Sequence, residues 1–521
     1  MSLLLSPMAK SGTSDFYNGV ATQSLRVSYV SAEAYLTKTP DASNRKTRTL
    51  SFWLKRCKLG ATQSIIRATG NSDTTTTDIW FDSNDKLEYM GTSSYWRVTN
   101  QVFRDTSSWY HFVIVTDTVQ SGATFDNANT IKIYVNGTQV TSFSDTANMA
   151  EDTAYGIGGN VAHTWGKGLA NFDGYFAEIN FIDGLALDEE SFGEFKNGAW
   201  IAKKYSGAYG TEGYHLEFKQ TATGTAGTGT IGADTSGLNN HFTSSGMDVW
   251  DSAMLDSPEN TFCVMNSNSP AAGTRTFTEG NLRNTHSGNV YSFYSSTFGV
   301  KTGKWYAEMR FDSNSTSEVM MYGLSNAPFI NGNAHTTAAT IWYISDGAGY
   351  VDGSAVAHGA FSGSVSWGTH ATTSPGFVMG IALDLDSSTK TVTFTKDGGD
   401  SFSKDLPASF TDHIHFCVNK YSANSGTTQW TWNFGQDSTF VGQETATSNA
   451  DENGFGAFHT APPSGYLALC TANITEPTIG PNSSSQATDY FNTVLYSGDD
   501  STNAITVGFK PDFVWLKRRT A

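Results

Sequence analysis

Apolar and polar residues alternate with a period of two over many short runs of this chain, and that period predicts β-strands. In IKIYVNGTQV (131–140) the apolar positions fall on one face, and Asn136-Gly137 supplies a two-residue turn, so we predict a β-hairpin. The run WYHFVIVT (109–116) is apolar or aromatic at both alternating sets of positions. Such a run is typical of a central strand that is buried on both sides.

Two further stretches follow the same rule. In DGYFAEINFIDG (173–184) every second residue from Tyr175 to Phe181 is predicted to face one way, while Glu178 and Asn180 face the other. In GFVMGIALDLDSSTKTVTFTKDGG (376–399) the pattern predicts a strand, a turn and a second strand that ends at a further Asp-Gly turn. We therefore predict an all-β protein with little helix.

The strand runs group into tandem β-sandwiches, because 521 residues exceed one ordinary core. We predict a first sandwich over 24–219 and a second over 261–437. A Gly-, Ser- and Thr-rich stretch over 220–260 is interpreted as a linker that wraps or bridges. We interpret residues 1–23 as an N-terminal segment available for attachment or oligomer contact, and we predict that 438–521 are a linker and the start of an incomplete third β-rich domain.

Composition and net charge disfavour some classes of binding partner. Aromatic residues make up 13% of the chain and charged residues 16%, and the formal net charge is −17. Nucleic acid is an unfavourable partner, since a protein must offer a positive surface to neutralise phosphates. An anionic membrane is disfavoured for the same reason, and no apolar run approaches the roughly 20 residues that span a bilayer. The first eleven residues lack the basic start and the apolar length of a signal peptide.

The four cysteines, Cys57, Cys263, Cys417 and Cys470, stand far apart with no Cys-x-x-Cys pair. This spacing supports neither a structural zinc site nor a redox motif. We predict four buried or partly buried free thiols, which suits assembly in a reducing cytoplasm, although spacing alone leaves disulfides open.

No catalytic motif is found. Glycoside hydrolysis needs two carboxylates across the scissile bond, and the nearest acidic cluster (188–190) lies at the start of a predicted short helix, where acids stabilise the helix dipole. The sequence also lacks His-Glu-x-x-His, Gly-x-Ser-x-Gly and P-loop patterns. We therefore predict a protein that is not an enzyme and has no catalytic residue or organic cofactor.

Ligand binding is the remaining chemistry. A sugar is held by an exposed aromatic plane flanked by polar groups, and three stretches, TSSYWRVTN, NVAHTWGKG and WYISDGAGYVDG, offer that combination. The alternative is that each aromatic residue only closes the edge of a core, as we expect for Trp53, Trp109 and Trp305. The candidate ligand-binding residues are Tyr95, Trp96, Arg97, Asn100, His163, Trp165, Trp342, Tyr343, Asp346 and Tyr350.

The first segment resembles the laminin-G-like branch of the concanavalin A-like lectin fold. The resemblance lies in AYLTKTPDASNRKTRTLSFWLKR, in WYHFVIVTDTV followed by IKIYVNG, and in GYFAEINFIDGLALDEESF, which occur in the family's order. The second segment resembles a SPRY domain through GKWYAEM, GIALDLDSSTKTVTFTKDGG and WTWNFGQ. The junction blocks YGTEGYHLEF, DTSGLNNHFT and DSPENTFCVMN, and the tail from APPSGYLALCTANITEP to GFKPDFVWLKRR, resemble tailed-phage structural proteins that join two such domains.

The laminin-G-like resemblance also implies calcium at the rim of the sandwich, where six to eight oxygen ligands are needed. Neither acidic stretch of the first segment reproduces a fixed calcium-loop motif, and solvated turn residues are the alternative interpretation. The calcium candidates are Asp73, Asp78, Asp82 and Asp85, and separately Asp126, Asn127 and Asn129.

The resemblance implies a bacteriophage virion protein of the adsorption apparatus, such as a tail fibre, spike or surface appendage, that binds a host cell-surface glycan or envelope protein. It would be assembled in the host cytoplasm, act outside the cell, contact other virion proteins and form a homo-oligomer, a trimer by analogy with phage fibres. The main alternative is a purely structural virion part, such as a capsid decoration or tail connector. Two weaker rival hypotheses are a bacterial adhesin and a glycosidase.

Overall fold

The computed structural model describes residues 16–28, 33–41, 43–72, 74–120, 124–269, 274–288, 292–314, 320–330, 340–344, 349–351, 354–356, 376–399, 401–420, 427–474, 485–498 and 500–517. These residues form two successive β-sandwiches, and no α-helix occurs among them. The predicted all-β fold with tandem sandwiches is therefore confirmed. No helix in this described part of the chain is long and apolar enough to cross a bilayer.

The first sandwich consists of a seven-stranded and an eight-stranded antiparallel sheet. The order is β1-β13-β3-β8-β9-β10 in the seven-stranded sheet, where β16 also pairs with β13, and β11-β7-β6-β5-β4-β12-β2-β17 in the other, while β14 and β15 form a separate hairpin. Its strands are β1 (Leu25–Val27), β2 (Tyr35–Lys38), β3 (Thr47–Arg56), β4 (Gln63–Thr69), β5 (Thr77–Phe81), β6 (Lys86–Met90), β7 (Tyr95–Val102), β8 (Tyr110–Asp117), β9 (Ile131–Val135), β10 (Thr138–Gln139), β11 (Phe143–Asp145), β12 (Ala162–Trp165), β13 (Gly174–Asp183), β14 (Gly193–Lys196), β15 (Ala199–Ala202), β16 (Tyr214–Leu216) and β17 (Thr243–Ser245).

The second sandwich consists of a larger and a smaller sheet. The larger has the order β18-β19-β30-β21-β26-β27-β28, with β31 pairing in parallel with β21, and the smaller has the order β20-β29-β22-β23-β24-β25. Its strands are β18 (Thr274–Thr278), β19 (Arg283–Ser287), β20 (Ser292–Ser295), β21 (Lys304–Asn314), β22 (Met320–Ser325), β23 (Thr340–Ile344), β24 (Gly349–Val351), β25 (Ser354–Val356), β26 (Val378–Asp384), β27 (Thr391–Lys396), β28 (Ser401–Asp405), β29 (His415–Lys420), β30 (Thr427–Asn433) and β31 (Leu467–Ala468). Single turns of 3-10 helix occur at Asn127–Asn129, Glu189–Ser191 and Ala487–Asp489.

The strand predictions hold best where turn chemistry and alternation agree. Strand β8 is central, between β3 and β9, and its interior residues are buried on both faces. Asn136 and Gly137 connect β9 to β10 with φ angles of 47° and 74°, the left-handed region that a two-residue hairpin turn requires. Asp397 and Gly398 play the same part between β27 and β28.

Strand β13 departs from strict alternation. Tyr175 and Ala177 lie on the outer face of the seven-stranded sheet, whereas Ile179 and Phe181 point into the core between the sheets. A β-bulge at Glu178, which has a φ of 46°, causes the change of face. The prediction that one face carries all four residues is therefore wrong, because a bulge inserts one extra residue and moves the following side chains to the opposite side.

Two segments predicted to be linkers pack against the sandwiches. Residues 220–260 contribute strand β17 at the edge of the eight-stranded sheet and bury Phe242 in the first core. Residues 438–474 cover the second sandwich, where strand β31 pairs with β21 and Phe458 is fully buried. Low sequence hydrophobicity does not reveal these contacts, because in both segments backbone hydrogen bonds and a few large apolar residues make them.

Buried ion pairs connect the two sandwiches. The Arg26 guanidinium, on strand β1, donates to Asp251 at 3.1 Å and to Asp437, which follows strand β30 of the second sandwich, at 2.9 Å. Burial opposes this charge, but the neighbouring carboxylates of Asp437, Asp251 and Glu279 raise the pKa of Arg26. Together these contacts fix the first sandwich against residues that belong to the second.

A second ion pair lies in the same junction. The Lys55 ammonium group, on strand β3, is 2.8 Å from the Asp256 carboxylate, and both side chains are fully buried. The Asp256 carboxylate also accepts a hydrogen bond from the Trp109 indole N–H at 3.4 Å and from the Phe262 backbone N–H at 3.3 Å. The junction is therefore a charged core whose polar groups satisfy one another.

The predicted free thiols are confirmed. Cys57, Cys263, Cys417 and Cys470 are all buried and unpaired. Burial raises the pKa of the Cys263 thiol to about 11 and that of Cys470 to about 12, so both stay protonated and unreactive.

The described residues of the C-terminal segment, 485–498 and 500–517, contain no strand. Large apolar side chains are exposed there, and Trp515 retains 78% of its accessible surface. The strands predicted for this segment are therefore not found among its described residues.

Candidate functional site

Most predicted ligand-binding aromatic residues of the first sandwich lie in its core. Trp96 packs edge-on against Tyr89 and Tyr155, and Trp165 donates a hydrogen bond to the Tyr214 hydroxyl at 3.0 Å. Both tryptophans are fully buried. The prediction that they offer an exposed plane is wrong, because alternation along β7 and β12 turns these rings inward although the flanking residues are polar.

The polar neighbours of those tryptophans are also engaged. The Arg97 guanidinium donates to the Trp96 carbonyl at 2.6 Å and to the Asn127 carbonyl at 2.8 Å, so it holds a turn in place. The His163 ring accepts a hydrogen bond from the Gly158 N–H, and burial lowers the pKa of His163 to about 4. Arg97 and His163 are thus buried and hydrogen-bonded within the sandwich, and their predicted role in ligand binding stays a prediction.

Tyr95 and Asn100 remain available at the surface. The Tyr95 ring is 40% exposed at the start of β7, and Asn100, on the same strand, donates to the Ser142 hydroxyl at 2.8 Å. Their proposed role in binding stays a prediction.

The candidates of the second sandwich divide in the same way. Trp342 is fully buried on β23, and its ring meets that of Phe293 edge-on, so the prediction of an exposed plane is wrong here too. Tyr343 and Tyr350 belong to β23 and β24, but their side chains lie outside the described part of the structure, as does Asp346.

The calcium candidates mostly bind protein donors. The Asp78 carboxylate faces Arg67 at 3.2 Å, and the Asp85 carboxylate faces Arg56 at 3.2 Å and Arg104 at 2.9 Å. Asp78 and Asp85 are therefore already paired with guanidinium groups, and calcium binding at these two residues stays a prediction.

The remaining calcium candidates lie in turns. Asp82 accepts the Asn84 and Lys86 N–H groups, and Asp126 accepts the Ala128 N–H and caps the 3-10 turn at Asn127–Asn129. These are Asx-turn contacts, as the interpretation of solvated turn residues predicts. Asp73 lies outside the described residues.

The outer face of the eight-stranded sheet carries two carboxyl groups that sequence spacing could not pair. Asp78 on β5 and Glu88 on β6 flank Trp80 on adjacent strands. Burial raises the pKa of Asp78 to about 6 against the effect of Arg67, and Glu88 accepts the Trp80 indole N–H at 2.5 Å. Both carboxyl groups are buried, and each already accepts a hydrogen bond from the protein, so their arrangement does not suit the acid and nucleophile of a glycosidase.

An open cleft of about 530 Å³ lies at the start of strand β21 in the second sandwich. This volume falls in the range of small-ligand sites. The lining residues are Thr302, Gly303, Lys304, Trp305, Asp386, Gly465, Leu467 and Asn473. We call this feature the β21 cleft.

One wall of the β21 cleft is built by the turn after strand β26. Asp384 ends that strand, and its carboxylate accepts hydrogen bonds from the Asp386 and Ser387 N–H groups, both at 3.0 Å. The turn places the exposed Asp386 carboxylate where it accepts the Gly303 N–H at 2.7 Å. The loop is therefore shaped by local Asx-turn chemistry rather than by the apolar core.

The Lys304 ammonium group lies at the mouth of the β21 cleft, 2.9 Å from the Asp384 carboxylate. Burial alone would raise the pKa of Asp384, but hydrogen bonds from Lys304 and Ser387 lower it to about 2. The Lys304 ammonium group also lies 5.8 Å from the centre of the Tyr466 ring. The mouth therefore carries an ionised pair and an aromatic ring next to each other.

The opposite wall comes from the segment that follows the second sandwich. Strand β31 pairs with β21, which places Leu467 opposite Trp305. Asn473 is held by donating to the Asp451 carboxylate at 2.6 Å and to the Ala468 carbonyl at 2.9 Å. Sequence reasoning missed this site because its lining comes from three stretches that are far apart in the chain, 302–305, the turn at 386 and 465–473. The predicted core position of Trp305 is confirmed, since its ring is buried.

The lining of the β21 cleft combines polar and apolar groups. Its lining offers hydroxyl, amide, ammonium and carboxylate groups beside the apolar Leu467 and the Trp305 ring. Asp386 is the single carboxylate among the lining residues, and the Asp384 carboxylate at the mouth is paired with Lys304 and Ser387, whereas glycoside hydrolysis needs two available carboxyl groups. A polar ligand with hydroxyl groups fits this lining.

Residues 30–190 match the family described as the concanavalin A-like lectin/glucanases superfamily, and residues 486–521 match a domain of unknown function (DUF7483). The first match covers most of the first sandwich, as the sequence resemblance implied. The comparison with curated proteins found no match.

Several solved structures resemble parts of the chain. The SPRY domain of human HERC1 is 19% identical with a TM-score of 0.24, and the likeness covers 30% of this chain and 88% of that one. The TRIM65 PSpry domain is 13% identical with a TM-score of 0.24, covering 33% and 88%. The heptameric SAP-like pentraxin of Limulus polyphemus is 16% identical with a TM-score of 0.24, covering 32% and 76%. These values carry no information about function.

Proposed function

We propose that this chain is a non-catalytic component of a bacteriophage adsorption apparatus and that it binds a host cell-surface glycan. The phage context rests on the sequence resemblance of its junction and tail blocks. The binding role is supported by the β21 cleft, whose size and mixed polar lining suit one sugar unit. The presence of one lining carboxylate instead of two is the observation that favours binding over hydrolysis.

The glycan contacts are assigned to Asp386 and Lys304, which line the β21 cleft, and to Tyr466 beside its mouth. The Asp386 carboxylate accepts hydroxyl protons, the Lys304 ammonium group donates to ring or acidic oxygens, and the exposed part of Tyr466 packs against the apolar face of the sugar. None of these contacts requires the sandwich core to move, because both walls are held by hydrogen bonds.

Glycan-array binding of the labelled full-length chain tests this proposal. Asp386→Ala is expected to weaken binding to the glycans retained by the wild type by about 10-fold or more, since a charge-assisted hydrogen bond is lost. Glu151→Ala removes the same charge from an exposed turn of the first sandwich and serves as the matched control. Equal binding by the Asp386 variant and the wild type would contradict the assignment of the cleft.

The adsorption role is tested on cells. Purified chain added before infection is expected to bind host cells and reduce phage adsorption. A purely structural virion part would do neither, although it would still be found in purified particles. Release of reducing ends from host polysaccharide would contradict the non-catalytic role.

We further propose that the chain acts on the particle surface as a homotrimer, by analogy with phage fibres and because oligomers are usually symmetric. Sedimentation analysis of the full chain is expected to give three times the mass of 56.2 kDa. A stable monomer at micromolar concentration would contradict this.

A further inference from the structure

Three potential metal ligands meet on the outer face of the seven-stranded sheet, away from the β21 cleft. Glu178 lies on β13, His215 on β16, and Glu217 directly after β16. One ligand atom from each residue lies within 4.8 Å of the other two, and the His215 Nε2 is 2.7 Å from a Glu178 oxygen. We propose that these residues form a binding site for a divalent transition-metal ion, with zinc as the best match.

The backbone brings the three residues together. Strand β16 pairs with β13 so that Asn180 is opposite His215, and His215 and Glu217 are two residues apart and share a face. The bulge at Glu178 keeps its carboxylate on that outer face instead of in the core. β-Bulges often re-aim a side chain at a functional position.

The spacing is close to that of a coordination sphere. Zinc binds nitrogen and oxygen ligands at about 2.0–2.2 Å, which places neighbouring ligands of a tetrahedral site roughly 3.4 Å apart. The observed spacings, from 2.7 Å between His215 and Glu178 up to the 4.8 Å limit, bracket that value. Small side-chain rotations therefore suffice to admit an ion, and solvent would complete the four ligands.

The imidazole is supported from outside the cluster, as in many metal sites. The Thr235 hydroxyl oxygen is 2.9 Å from the His215 Nδ1, the nitrogen that points away from the glutamates. The Tyr209 ring stacks on the imidazole with ring centres 6.1 Å apart. A partner on the second nitrogen fixes the ring orientation and leaves Nε2 directed at the ion.

The local charge also favours a cation. Glu178 is buried. Burial raises the pKa of the neighbouring Glu259, and the negative charge of Glu178 raises it further. The Lys219 ammonium group, 3.2 Å from Glu217, is the nearby cation in the metal-free form, and it is partly exposed. One imidazole and two carboxylates match the ligand preferences of zinc better than those of calcium, which takes six to eight oxygens.

Isothermal titration of the metal-stripped full-length chain with zinc chloride tests the site. We expect one ion per chain and an increase in the thermal unfolding midpoint with zinc. Glu217→Gln keeps the shape of a partly exposed side chain and is expected to weaken zinc binding, and Thr235→Val is expected to weaken it by about 10-fold or more. His215→Gln is expected to abolish binding.

His413→Gln is the matched control, because this exposed histidine lies beside a single carboxylate, that of Asp412. It should leave zinc binding unchanged. Failure of the stripped chain to bind zinc would overturn the proposal, as would equal binding by the Glu217 variant or calcium binding as tight as that of zinc. In those cases the contact between Glu178 and His215 is only a structural hydrogen bond.

Discussion

Charged residues serve opposite purposes at the junction of the sandwiches and in the β21 cleft. At the junction, Lys55 and Asp256 are fully buried, and each group is satisfied by the other and by neighbouring polar atoms. In the β21 cleft, Asp386 is exposed and Lys304 is in reach of solvent. Removing the partner of a buried charge costs several kcal/mol of folding free energy, whereas an exposed charge exchanges water for a ligand at little free-energy cost.

The largest expected effect comes from breaking the junction. Asp256→Ala leaves the buried Lys55 ammonium group without a counter-charge, and we expect a loss of about 3–5 kcal/mol in the free energy of unfolding. Urea denaturation of the full chain measures it. Asp152→Ala, which removes an exposed partner of Lys46, is the control and should cost about 1 kcal/mol or less. Similar losses in the two variants would show that the junction is not a core.

Replacing both partners sharpens the same comparison. The double variant Lys55→Met with Asp256→Leu removes the unpaired charge, so most of the loss should be recovered. The Phe262 N–H and the Trp109 indole then lack their acceptor, and we expect a residual cost of about 1–3 kcal/mol. A double variant that is no more stable than Asp256→Ala would assign the loss to packing instead of charge.

His111 extends the comparison to a buried group that stays neutral. Its ring stacks on Trp53, accepts the Trp200 indole N–H at 2.9 Å, and contacts the Ser51 hydroxyl. Burial lowers the pKa of His111 to about 3. Between pH 6.5 and about 3 the unfolded chain binds a proton that the folded chain does not, so this group makes the folded state less stable as the pH falls.

His111→Gln removes that titration. The wild type should be the more stable protein at pH 7, and its advantage should shrink by about 1.4 kcal/mol per pH unit below about pH 6.5. Denaturant unfolding at several pH values measures the difference. His413→Gln changes an exposed histidine and is the matched control. A pH-independent advantage over the His111 variant would mean that solvent reaches His111.

The sequence predicts the positions of the strands better than it predicts which side chains are exposed. Alternation and Asn-Gly or Asp-Gly turns identify strands such as β8, β9 and β27, because strand period and turn conformation are local properties. The polar neighbours of Trp96, Trp165 and Trp342 predict exposed rings, yet each ring faces a core. Polar residues next to a strand residue in sequence do not determine which face of the sheet its side chain occupies.

The sites escaped prediction for a related reason. The bulge at Glu178 moves the later side chains of β13 to the other face of the sheet. No residue type at this position predicts the bulge from sequence. The β21 cleft joins Lys304 and Asp386 to Asn473, and the metal cluster joins Glu178 to His215. Such groupings depend on strand pairing between distant residues, which single-sequence patterns do not encode.

The smallest expected effect on stability belongs to the β21 cleft, and it completes the contrast with the junction. Asp386→Ala loses one exposed contact to the Gly303 N–H, so the free energy of unfolding should change by about 0.5 kcal/mol or less. Urea denaturation of this variant and of Asp256→Ala side by side measures the smallest and the largest expected changes in the free energy of unfolding. If Asp386 contributes to ligand binding and not to stability, the variant should be as stable as the wild type but lose glycan binding. A loss of several kcal/mol would instead place Asp386 among the structural charges, because only a buried or network-forming carboxylate contributes that much to folding.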